Sequence, residues 1–277
     1  MSKNKPNLKK LFPKRRPATH KGDYGKVFIL AGSEGMAGAA VLCSRGALRA
    51  GAGLAYLGVP SKIRDLANLA TPEVIVAGGG RAKDFLTVAQ NSNAIAVGPG
   101  LGSKRDLARD LLVRLSNLKY SSPVVLDADG LNAFVGKMTM LEKIQLKLIL
   151  APHPGEMAKL LGKTTKEVQT SREEIAGVFA KLLKCTVVLK GYRTVVANDS
   201  GKIYINMTGN PGMSTAGVGD VLTGMIAGLA AQGFSPWDAA VAGVYLHGLA
   251  GDLAAKEKGE YGMIASDLVE KIPYAIP

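Results

Sequence analysis

The segment of the sequence best suited to chemistry is residues 209–233, GNPGMSTAGVGDVLTGMIAGLAAQG. Its first half is rich in glycine and small residues and contains a single acid, Asp220, whereas its second half is an apolar run of helical length. This pattern predicts a glycine-rich loop that leads into the N-terminus of a buried helix. Unpaired backbone N–H groups and the helix dipole favour a phosphate at such a terminus. Asp220 would then lie where an acceptor hydroxyl has to approach; alternatively, it is an ordinary acid of a first helical turn.

Two further candidate sites follow predicted strands. His153 lies in APHPGEM between two prolines, each of which disfavours helix in the residue before it. We expect a histidine fixed in such a turn to hydrogen-bond a ligand, although packing or capping of the next helix is the alternative. Asp127 and Asp129, in VLDADG, could position a hydrated Mg²⁺ that bridges phosphates, since this ion prefers oxygen ligands. Asp129 could equally cap a short helix that begins at Leu131.

A cationic segment precedes the glycine-rich loop. Lys190, Arg193 and Thr194 lie in TVVLKGYRTVVAND, a pattern that predicts two strands joined by a tight turn at Gly191. Cations and a hydroxyl in such a turn suit the phosphates of a nucleotide. A solvated hairpin without a ligand is the alternative.

The glycines Gly98, Gly100 and Gly102 follow a predicted strand in AIAVGPGLG. A dinucleotide-binding loop of the Rossmann type is disfavoured, because Pro99 interrupts the pattern and no acid ends a partner strand about 20 residues further on. The spacing is more typical of a turn whose small residues let a ligand approach the backbone closely.

The sequence does not predict a zinc centre. His153 and Glu156 are too few for zinc, which requires three or four ligands, and His20 and His247 lie in quite different contexts. We expect His247 to be a core or interface residue of its helix. The two cysteines lie far apart inside apolar segments, which favours a reduced, cytoplasmic setting.

The elements that must position these residues alternate between strand and helix from Lys26 onward. The predicted strands begin in KVFILAG, LAYLGVP, VIVAGGG, AIAVGPGLG, PVVLDADG and LKLILAPHP, and the predicted helices include residues 38–53, 63–68 and 166–183. Short continuous apolar runs are typical of buried parallel strands. The polar and glycine-rich insertions follow successive strands at the same end, which is where open parallel sheets bind ligands.

Length and composition favour one soluble α/β domain. The chain has 277 residues, of which 47% are hydrophobic and only 5% aromatic, and no linker divides it after residue 25. Residues 1–19 form a basic arm without acids, which we expect to be mobile or to cover a sheet edge as a strand, and residues 20–277 form the domain. The arm lacks the apolar region of a signal peptide, and no apolar run has membrane length. The net charge of +13 suits nucleic acid, an acidic small ligand or solubility alone.

Six motifs together resemble a known family. HKGDYGKVFILAGS, GPGLG, VLDADGLNAF, LAPHPGEM, VVLKGYRTVV and TGNPGMSTAGVGDVLTG occur in the order found in the ADP/ATP-dependent NAD(P)H-hydrate dehydratases of the ribokinase-like superfamily. The resemblance covers the chain from His20 onward. It implies an α/β three-layer sandwich, with a mostly parallel central sheet flanked by helices. We expect the epimerase domain that many bacteria fuse to this one to be missing, because nothing of its size precedes His20.

The resemblance also implies an activity. Such an enzyme is a lyase that repairs the S-epimer of hydrated NADH or NADPH, with Mg²⁺ and with ADP or ATP as phosphoryl donor, and gives AMP or ADP and phosphate. It would act in the cytoplasm as a homo-oligomer, by resemblance a homotetramer, without a membrane or a specific nucleic acid as partner. The choice between ADP and ATP, and between hydrated NADH and NADPH, stays open at this point.

The resemblance assigns roles residue by residue. Asp220 would be the catalytic base and would also touch the hydrated dinucleotide. Further contacts to this substrate would come from Ala39 or Ala40, Gly102 and His153. Nucleotide contacts would come from Lys190, Gly191, Tyr192, Arg193, Thr194 and Gly219. The anion hole would consist of Ala216, Gly217, Val218 and Gly219; Ala216 and Val218 depart from the usual Gly and Ser/Thr, and Ala216 would be strained if its position needs a positive φ.

Two other functions stay open on the sequence. A small-molecule kinase of the same fold, acting on a hydroxymethylpyrimidine, thiazole or pyridoxal alcohol, would share the glycine-rich loop and its acid. The motifs HKGDYG and APHPGE favour the dehydratase. A non-enzymatic nucleotide- or nucleic-acid-binding protein would account for the charge, but few aromatic residues are interleaved with the basic arm, which weakens a stacking surface for bases.

Overall fold

The structure, a computed structural model, describes residues 6–277 apart from the side chain of Lys10. In this part of the chain one sheet contains the strands β1 (Lys26–Leu30), β2 (Leu54–Pro60), β3 (Ile75–Gly79), β4 (Ala94–Val97), β5 (Pro123–Leu126), β6 (Lys147–Leu150), β7 (Thr186–Leu189), β8 (Val195–Asn198) and β9 (Ile203–Ile205). Their order is β3-β2-β1-β4-β5-β6-β7-β8-β9. Strands β1 to β7 run parallel, whereas β8 and β9 are antiparallel additions. The predicted, mostly parallel sheet is confirmed.

Helices connect most of the strands. They are α1 (Leu8–Leu11), α2 (Ala37–Arg49), α3 (Arg64–Ala70), α4 (Ala82–Gln90), α5 (Asp106–Asn117), α6 (Asp129–Asn132), α7 (Met138–Glu142), α8 (Pro154–Leu161), α9 (Thr165–Thr170), α10 (Arg172–Leu183), α11 (Val218–Ala231), α12 (Pro236–Lys258) and α13 (Ala265–Ala275). Among the helices of residues 6–277, none combines the length and the apolar composition that crossing a bilayer requires.

The helices form a layer on each face of the sheet. Val27 and Ile29 of β1 belong to a core shared with α2, α11, α12 and α13. Phe28 and Leu30 belong to a second core, shared with α4, α5, α8 and α10 on the other face. Successive side chains of a strand point to opposite faces, so β1 contributes to both cores. Central parallel strands are covered on both faces, which explains why β4 and β7 consist of buried residues throughout.

The structure corrects two predictions of helices. The helix expected over residues 166–183 is two helices, because the backbone of Ser171 (φ −130°, ψ 45°) is not helical and separates α9 from α10. Helix α4 is absent from the sequence-based prediction. Its buried residues Ala82, Phe85 and Ala89 have the spacing of three and four that marks one face of a helix, so the signal was present in the sequence.

The described part of the basic arm is not the expected edge-covering strand. Residues 8–11 form the single turn α1, and Leu8 is buried. The ring of Phe12 lies 5.2 Å from the ring of Phe234, centroid to centroid. Arg15 donates a hydrogen bond to the Gly51 carbonyl at 2.7 Å. Apolar residues among the cations thus attach residues 6–19 to the domain; residues 1–5 of the arm lie outside the described residues.

Helix α11 is the central helix predicted from the glycine-rich segment. Every residue of α11 is buried except Gly219 and Asp220, which lie in its first turn. Its backbone approaches that of α2 so closely that a Cβ on Gly224 would lie 1.9 Å from the Cys43 carbonyl oxygen. Gly224 therefore has a packing role, and α2 fixes the position of the N-terminus of α11.

Candidate active site

The strand order reverses between β1 and β4, and such a reversal marks the ligand crevice of an open parallel sheet. Residues 32–36 follow β1, and residues 98–102 follow β4. Two hydrogen bonds join these segments: Gly32 N–H donates to the Pro99 carbonyl (2.8 Å), and Ser33 Oγ donates to the Gly100 carbonyl (2.8 Å). The crevice is therefore lined by backbone that is already held in place.

Gly102 lies in this crevice, but its N–H group is already used. It donates to Asp129 Oδ2 at 2.7 Å. Asp129 is thus not the cap of a helix that begins at Leu131, because α6 begins at Asp129 itself. A Cβ on Gly102 would also lie 2.5 Å from Cε of Met36. A ligand at Gly102 would meet the Cα or the carbonyl group rather than the N–H group.

Ala39 and Ala40 lie in the first turn of α2, beside the crevice. Ala40 is fully buried, and its Cβ lies 2.9 Å from where a Cβ on Gly32 would be. Ala39 is partly exposed, and its Cβ lies 2.7 Å from where a Cβ on Gly100 would be. Because the methyl group of Ala40 is fully buried in this structure, the geometry favours Ala39 over Ala40 as the contact to a ligand. Both contacts stay predictions.

Asp127 forms the polar centre of the site at the end of β5, and it is 1% exposed. It accepts hydrogen bonds from Ala128 N–H (2.7 Å) and from Thr223 Oγ1 of α11 (2.5 Å), and it forms an ion pair with Lys190 Nζ. Lys190 Nζ also lies 3.9 Å from Glu156 Oε2. Burial alone would lower the pKa of Lys190, but the carboxylates of Asp127 and Glu156 raise it, so the ammonium group stays charged.

The backbone at Ala128 separates the two acids of DADG. Its conformation (φ 48°, ψ −121°) is one that L-residues rarely adopt and that persists only where the surroundings impose it. As a result the carboxylate of Asp127 pairs with Lys190, whereas that of Asp129 binds Gly102 N–H. Strain at this position is consistent with a functional site.

The candidate magnesium ligands Asp127 and Asp129 do not form a ready cation site. Their oxygens already accept hydrogen bonds or an ion pair from the protein. In the described part of the chain, no cluster of three His, Cys, Asp or Glu side chains could hold a metal ion. Mg²⁺ often keeps several waters and uses one or two carboxylates together with substrate phosphates. The donor set fits an ion that arrives with a nucleotide, not a cage made by the protein alone.

The N-terminus of α11 has the geometry of an anion site. Gly217 precedes the helix with a φ of +88°, whereas Ala216 does not take a positive φ. The strain expected at Ala216 is therefore absent, because the left-handed position belongs to a glycine. The N–H groups of Val218 and Gly219 have no partner four residues earlier in the helix. Lys190 Nζ lies 3.6 Å from where a Cβ on Gly219 would be, so a fixed cation stands beside these donors.

His247 supports this helix terminus from α12. It is buried, and its Nε2 lies 3.0 Å from the Val218 carbonyl oxygen. Burial lowers the pKa of His247 to about 4, so the ring is neutral. Its Nε2 carries the single ring proton and donates the hydrogen bond to the carbonyl. The prediction that His247 is a core residue is confirmed.

Asp220 lies next to this anion site in the first turn of α11. Burial raises the pKa of its carboxyl group to about 7; the charge of Asp127 acts in the same direction, and Lys190 opposes both. A carboxyl group poised near neutral pH is suited to general-base catalysis. The position and the pKa both favour a chemical role over that of an ordinary first-turn acid.

His153 caps helix α8, which was one of the two alternatives for this residue. Its Nδ1 accepts hydrogen bonds from Gly155 N–H (3.0 Å) and Glu156 N–H (3.3 Å), and its Nε2 lies 3.2 Å from Glu156 Oε1. The ring is still half exposed on the site side of the sheet, so capping leaves a face free for a ligand. Burial would raise the pKa of Glu156, but the hydrogen bonds with His153 and the charge of Lys190 lower it.

The hairpin between β7 and β8 divides into an inner and an outer part. Lys190 is 16% exposed and points inward to Asp127, which argues against a purely solvated hairpin. Tyr192 and Arg193 are exposed, and Arg193 has a φ of +53°. Thr194 Oγ1 donates to the Gly191 carbonyl at 3.0 Å. The hairpin thus presents a fixed cation to the site and leaves two large side chains available to a ligand.

Sequence reasoning missed two members of the site. Thr223 lies three residues after Asp220, a spacing that puts both on one side of α11, and this spacing could have identified it. Glu156 lies three residues after His153, which is the spacing of a capping box. The ion pair of Asp127 with Lys190 joins positions 63 residues apart, and no local pattern could have indicated it.

Comparisons with known proteins agree with this geometry. A family model described as NAD(P)H-hydrate dehydratase matches residues 27–274. A bifunctional NAD(P)H-hydrate repair enzyme of Moorella thermoacetica is 43% identical over an alignment 277 positions long, which covers 95% of this chain and 51% of that protein. The chain therefore spans about half the length of this bifunctional relative.

Two relatives match over most of both chains. An ADP-dependent (S)-NAD(P)H-hydrate dehydratase of Neisseria meningitidis is 38% identical over 262 residues, covering 93% of this chain and 87% of the relative. A crystal structure of the ADP/ATP-dependent NAD(P)H-hydrate dehydratase of Bacillus subtilis, co-crystallised with ATP and Mg²⁺, is 33% identical with a TM-score of 0.81, covering 97% and 94% of the two chains. The predicted three-layer fold is confirmed.

Proposed function

The chain belongs to the NAD(P)H-hydrate dehydratase family, and from this premise we propose that it converts the S-epimer of hydrated NADH or NADPH to NADH or NADPH. The phosphoryl donor is ADP or ATP. The observation that carries the proposal is the convergence at one point of Asp220, the unpaired N–H groups of α11 and the ammonium group of Lys190. This combination of a base, an anion site and a cation supports transfer of a phosphoryl group to a hydroxyl.

The chemistry explains why a dehydratase needs a phosphoryl donor. The hydrated nicotinamide ring carries a hydroxyl group, which is a poor leaving group. The hydroxyl oxygen attacks the terminal phosphorus of the nucleotide, the bond from that phosphorus to the nucleotide breaks, and AMP or ADP leaves. The ring nitrogen then supplies the electron pair that expels phosphate, and loss of a proton from the neighbouring ring carbon regenerates the reduced ring. The water is thus lost as part of inorganic phosphate.

Residues of the chain provide the charges and the proton acceptor for this step. Asp220 takes the proton of the ring hydroxyl. The N–H groups around Gly217 and Gly219 and the ammonium group of Lys190 stabilise the charge of the transferring phosphoryl group. Mg²⁺, when bound, neutralises phosphate charge and arrives with the nucleotide. Asp127 and Thr223 hold Lys190 and α11 together, so that the cation and the N–H groups keep their relative positions.

The crevice between β1 and β4 accommodates the hydrated dinucleotide. Ala39 and Gly102 lie beside it, and hydrogen bonds between residues 32–36 and 98–102 hold its wall in shape. His153 follows β6 at the same edge of the sheet. Tyr192, Arg193 and Thr194 form the nucleotide side.

We also propose that the protein is a cytoplasmic homo-oligomer, a homotetramer by family resemblance. A light-scattering measurement of the molar mass in solution tests the number of subunits.

The test is an assay of NADH recovery. Hydrated NADH is incubated with Mg²⁺ and with ADP, ATP or neither, and the absorbance of the reduced nicotinamide is followed together with release of inorganic phosphate. Both should rise in step with one of the donors. Asp220→Asn keeps the size of the side chain but removes the base, so turnover should fall by about 100-fold or more while the nucleotide still binds.

Two outcomes would contradict the proposal in different ways. If neither donor supports NADH recovery but a small alcohol is phosphorylated and accumulates, the protein is a kinase of the same fold. If Asp220→Asn turns over at the wild-type rate, Asp220 is only a first-turn acid and the base lies elsewhere.

A further inference from the structure

The turn between β7 and β8 is wrapped around the side chain of Arg172. The Arg172 Nη1 donates to the Tyr192 carbonyl at 2.8 Å, and Nη2 donates to the carbonyls of Leu189 (2.8 Å) and Lys190 (3.1 Å). A Cβ on Gly191 would lie 3.1 Å from Nη1 and would press on the guanidinium group, and the φ of +127° also favours glycine there. Three carbonyls of one turn thus face a single guanidinium group, whose planar array of donors suits this task better than an ammonium group.

The direction of these carbonyls fixes the direction of the N–H groups. In a trans peptide the C=O and the following N–H point to opposite sides, and this chain has no cis peptide in its described part. The N–H of Lys190 accordingly donates to the Pro152 carbonyl at 2.9 Å, on the side away from Arg172. By the same geometry the N–H groups of Gly191 and Arg193 point away from the guanidinium, and neither donates to another residue of the described chain. Successive free N–H groups of this kind bind anions.

The break in the helix at Ser171 is what brings Arg172 to the turn. Arg172 is the first residue of α10, and its side chain is partly buried against the hairpin. In the continuous helix that the sequence predicts, the axis of α9 would fix the direction in which the side chain of Arg172 points. The non-helical backbone of Ser171 lets α10 take its own direction. The interruption of the helix and the three hydrogen bonds are thus parts of one arrangement.

We propose that Arg172 is a positioning residue for nucleotide binding. It folds the turn of residues 189–193 so that Lys190 points to Asp127 and the anion site while two backbone N–H groups stay free for the nucleotide. The inference rests on the proposed function, because it concerns the nucleotide that the reaction uses. Arg172 belongs to α10 and not to the turn that binds the nucleotide, and it acts without touching the nucleotide.

The experiment replaces Arg172 and measures nucleotide affinity without the hydrate. Arg172→Ala should weaken the binding of a fluorescent ADP analogue by roughly 10-fold or more, since small misplacements of a binding group have effects of this size. Arg172→Lys should recover little, because one ammonium group cannot serve three carbonyls in a plane. In turnover, KM for the nucleotide should rise and KM for the hydrate should not. Arg114→Ala, an exposed arginine on α5, is the matched control.

Chemical rescue separates positioning from a general loss of structure. Methylguanidinium, added to Arg172→Ala far below denaturing concentrations, should restore a large part of the nucleotide affinity, whereas the same concentration of an ammonium salt should not. Thermal unfolding of both variants checks that they are folded. If Arg172→Ala binds the analogue as the wild type does, or if ammonium restores affinity as well as methylguanidinium, the inference is overturned. A wild-type protein that binds the analogue but yields no NADH would contradict the proposed function and leave this inference supported.

Discussion

At the scale of single residues, Asp220 combines a useful pKa with an energetic cost. Burial, reinforced by the charge of Asp127, raises the pKa of its carboxyl group from 3.8 to about 7. The folded protein therefore binds this proton more readily than the unfolded chain does. The stability that this protonation contributes is fully present below the pKa of Asp220 in the unfolded chain. It is lost as the pH rises through about 7, because a charged carboxylate must then stay buried. The proposed base is destabilising in the form that acts.

The first prediction follows from this sign. Asp220→Asn should unfold at a higher temperature than the wild type at pH 8, and the difference should shrink towards pH 5, where the wild-type carboxyl group is protonated. The kcat/KM of the wild type should rise with pH through about 7, since this ratio reports the free enzyme. Calorimetric melting at both pH values and a pH–rate profile measure the two effects. Asp110→Asn, on the exposed face of α5, is the control, and an equal rise in melting temperature at both pH values would contradict the assignment.

His153 has two tasks that a pair of variants can separate. His153→Ala removes both the cap of α8 and the exposed ring, whereas His153→Asn keeps a side chain that caps well. We expect the Ala variant to lose about 1 kcal/mol of stability relative to the Asn variant. Both should raise KM for the hydrate more than they lower kcat, which is the mark of lost substrate binding. A normal KM in His153→Asn would show that the ring only caps the helix.

At the scale of elements, the position of α11 depends on the close contact of its backbone with that of α2. The Cβ that alanine would add at Gly224 meets the Cys43 carbonyl of α2 at 1.9 Å, and a backbone group has little freedom to move. Alanine favours helix over glycine by roughly 1 kcal/mol, but overpacking costs about 1–3 kcal/mol or more. The cost of the clash should exceed the gain in helix propensity, because neither helix backbone can move away from the added Cβ.

The prediction for this contact compares two glycines that both lie in the interior of a helix, Gly224 in α11 and Gly177 in α10. Gly224→Ala should lower the free energy of unfolding, as measured in urea, and should also lower kcat, because α11 carries Asp220. Gly177→Ala in α10 meets only Cδ1 of Ile203, at 3.9 Å, and should raise stability by about 0.5–1 kcal/mol. If both variants changed stability in the same direction, close packing of α2 and α11 would not be the cause.

The alternation of strands and helices could be predicted from the sequence, and so could the end of the sheet that bears the site. Each depends on patterns of a few neighbouring residues, such as the apolar run of β4 followed by its glycines. The break at Ser171 could not, because the hydrogen bonds of Arg172 that accompany it reach a hairpin nearly 20 residues later in the chain, beyond any local pattern. The choice of Ala39 over Ala40 likewise depends on which face of α2 packs against Gly32, and only the fold decides it.

At the scale of the whole molecule, the strand order and the charge distribution have separate consequences. The reversal between β1 and β4 and the hairpin of β7 and β8 bring the proposed hydrate crevice and the proposed nucleotide turn to the same edge of the sheet. The described part of the basic arm, residues 6–19, lies at the opposite end of α11, where Arg15 and Phe12 contact Gln232 and Phe234. Asp220 and Gln232 are twelve residues apart, or about 18 Å along a helix. The cations Arg15 and Arg16 of this part are therefore distant from the proposed base.

The last prediction separates the packing of the arm from its charge. Deleting residues 2–17 removes the buried Leu8 and the ring contact of Phe12, which together are worth about 2 kcal/mol, so the melting temperature should fall by roughly 4–8 °C. The kcat/KM should stay close to that of the wild type, because Asp220 and the crevice are untouched. The double variant Lys14→Gln, Arg16→Gln changes only exposed cations, so it should keep the melting temperature while weakening salt-sensitive binding to heparin. A folded truncation that has lost turnover would show that the arm closes the site or holds an interface between subunits.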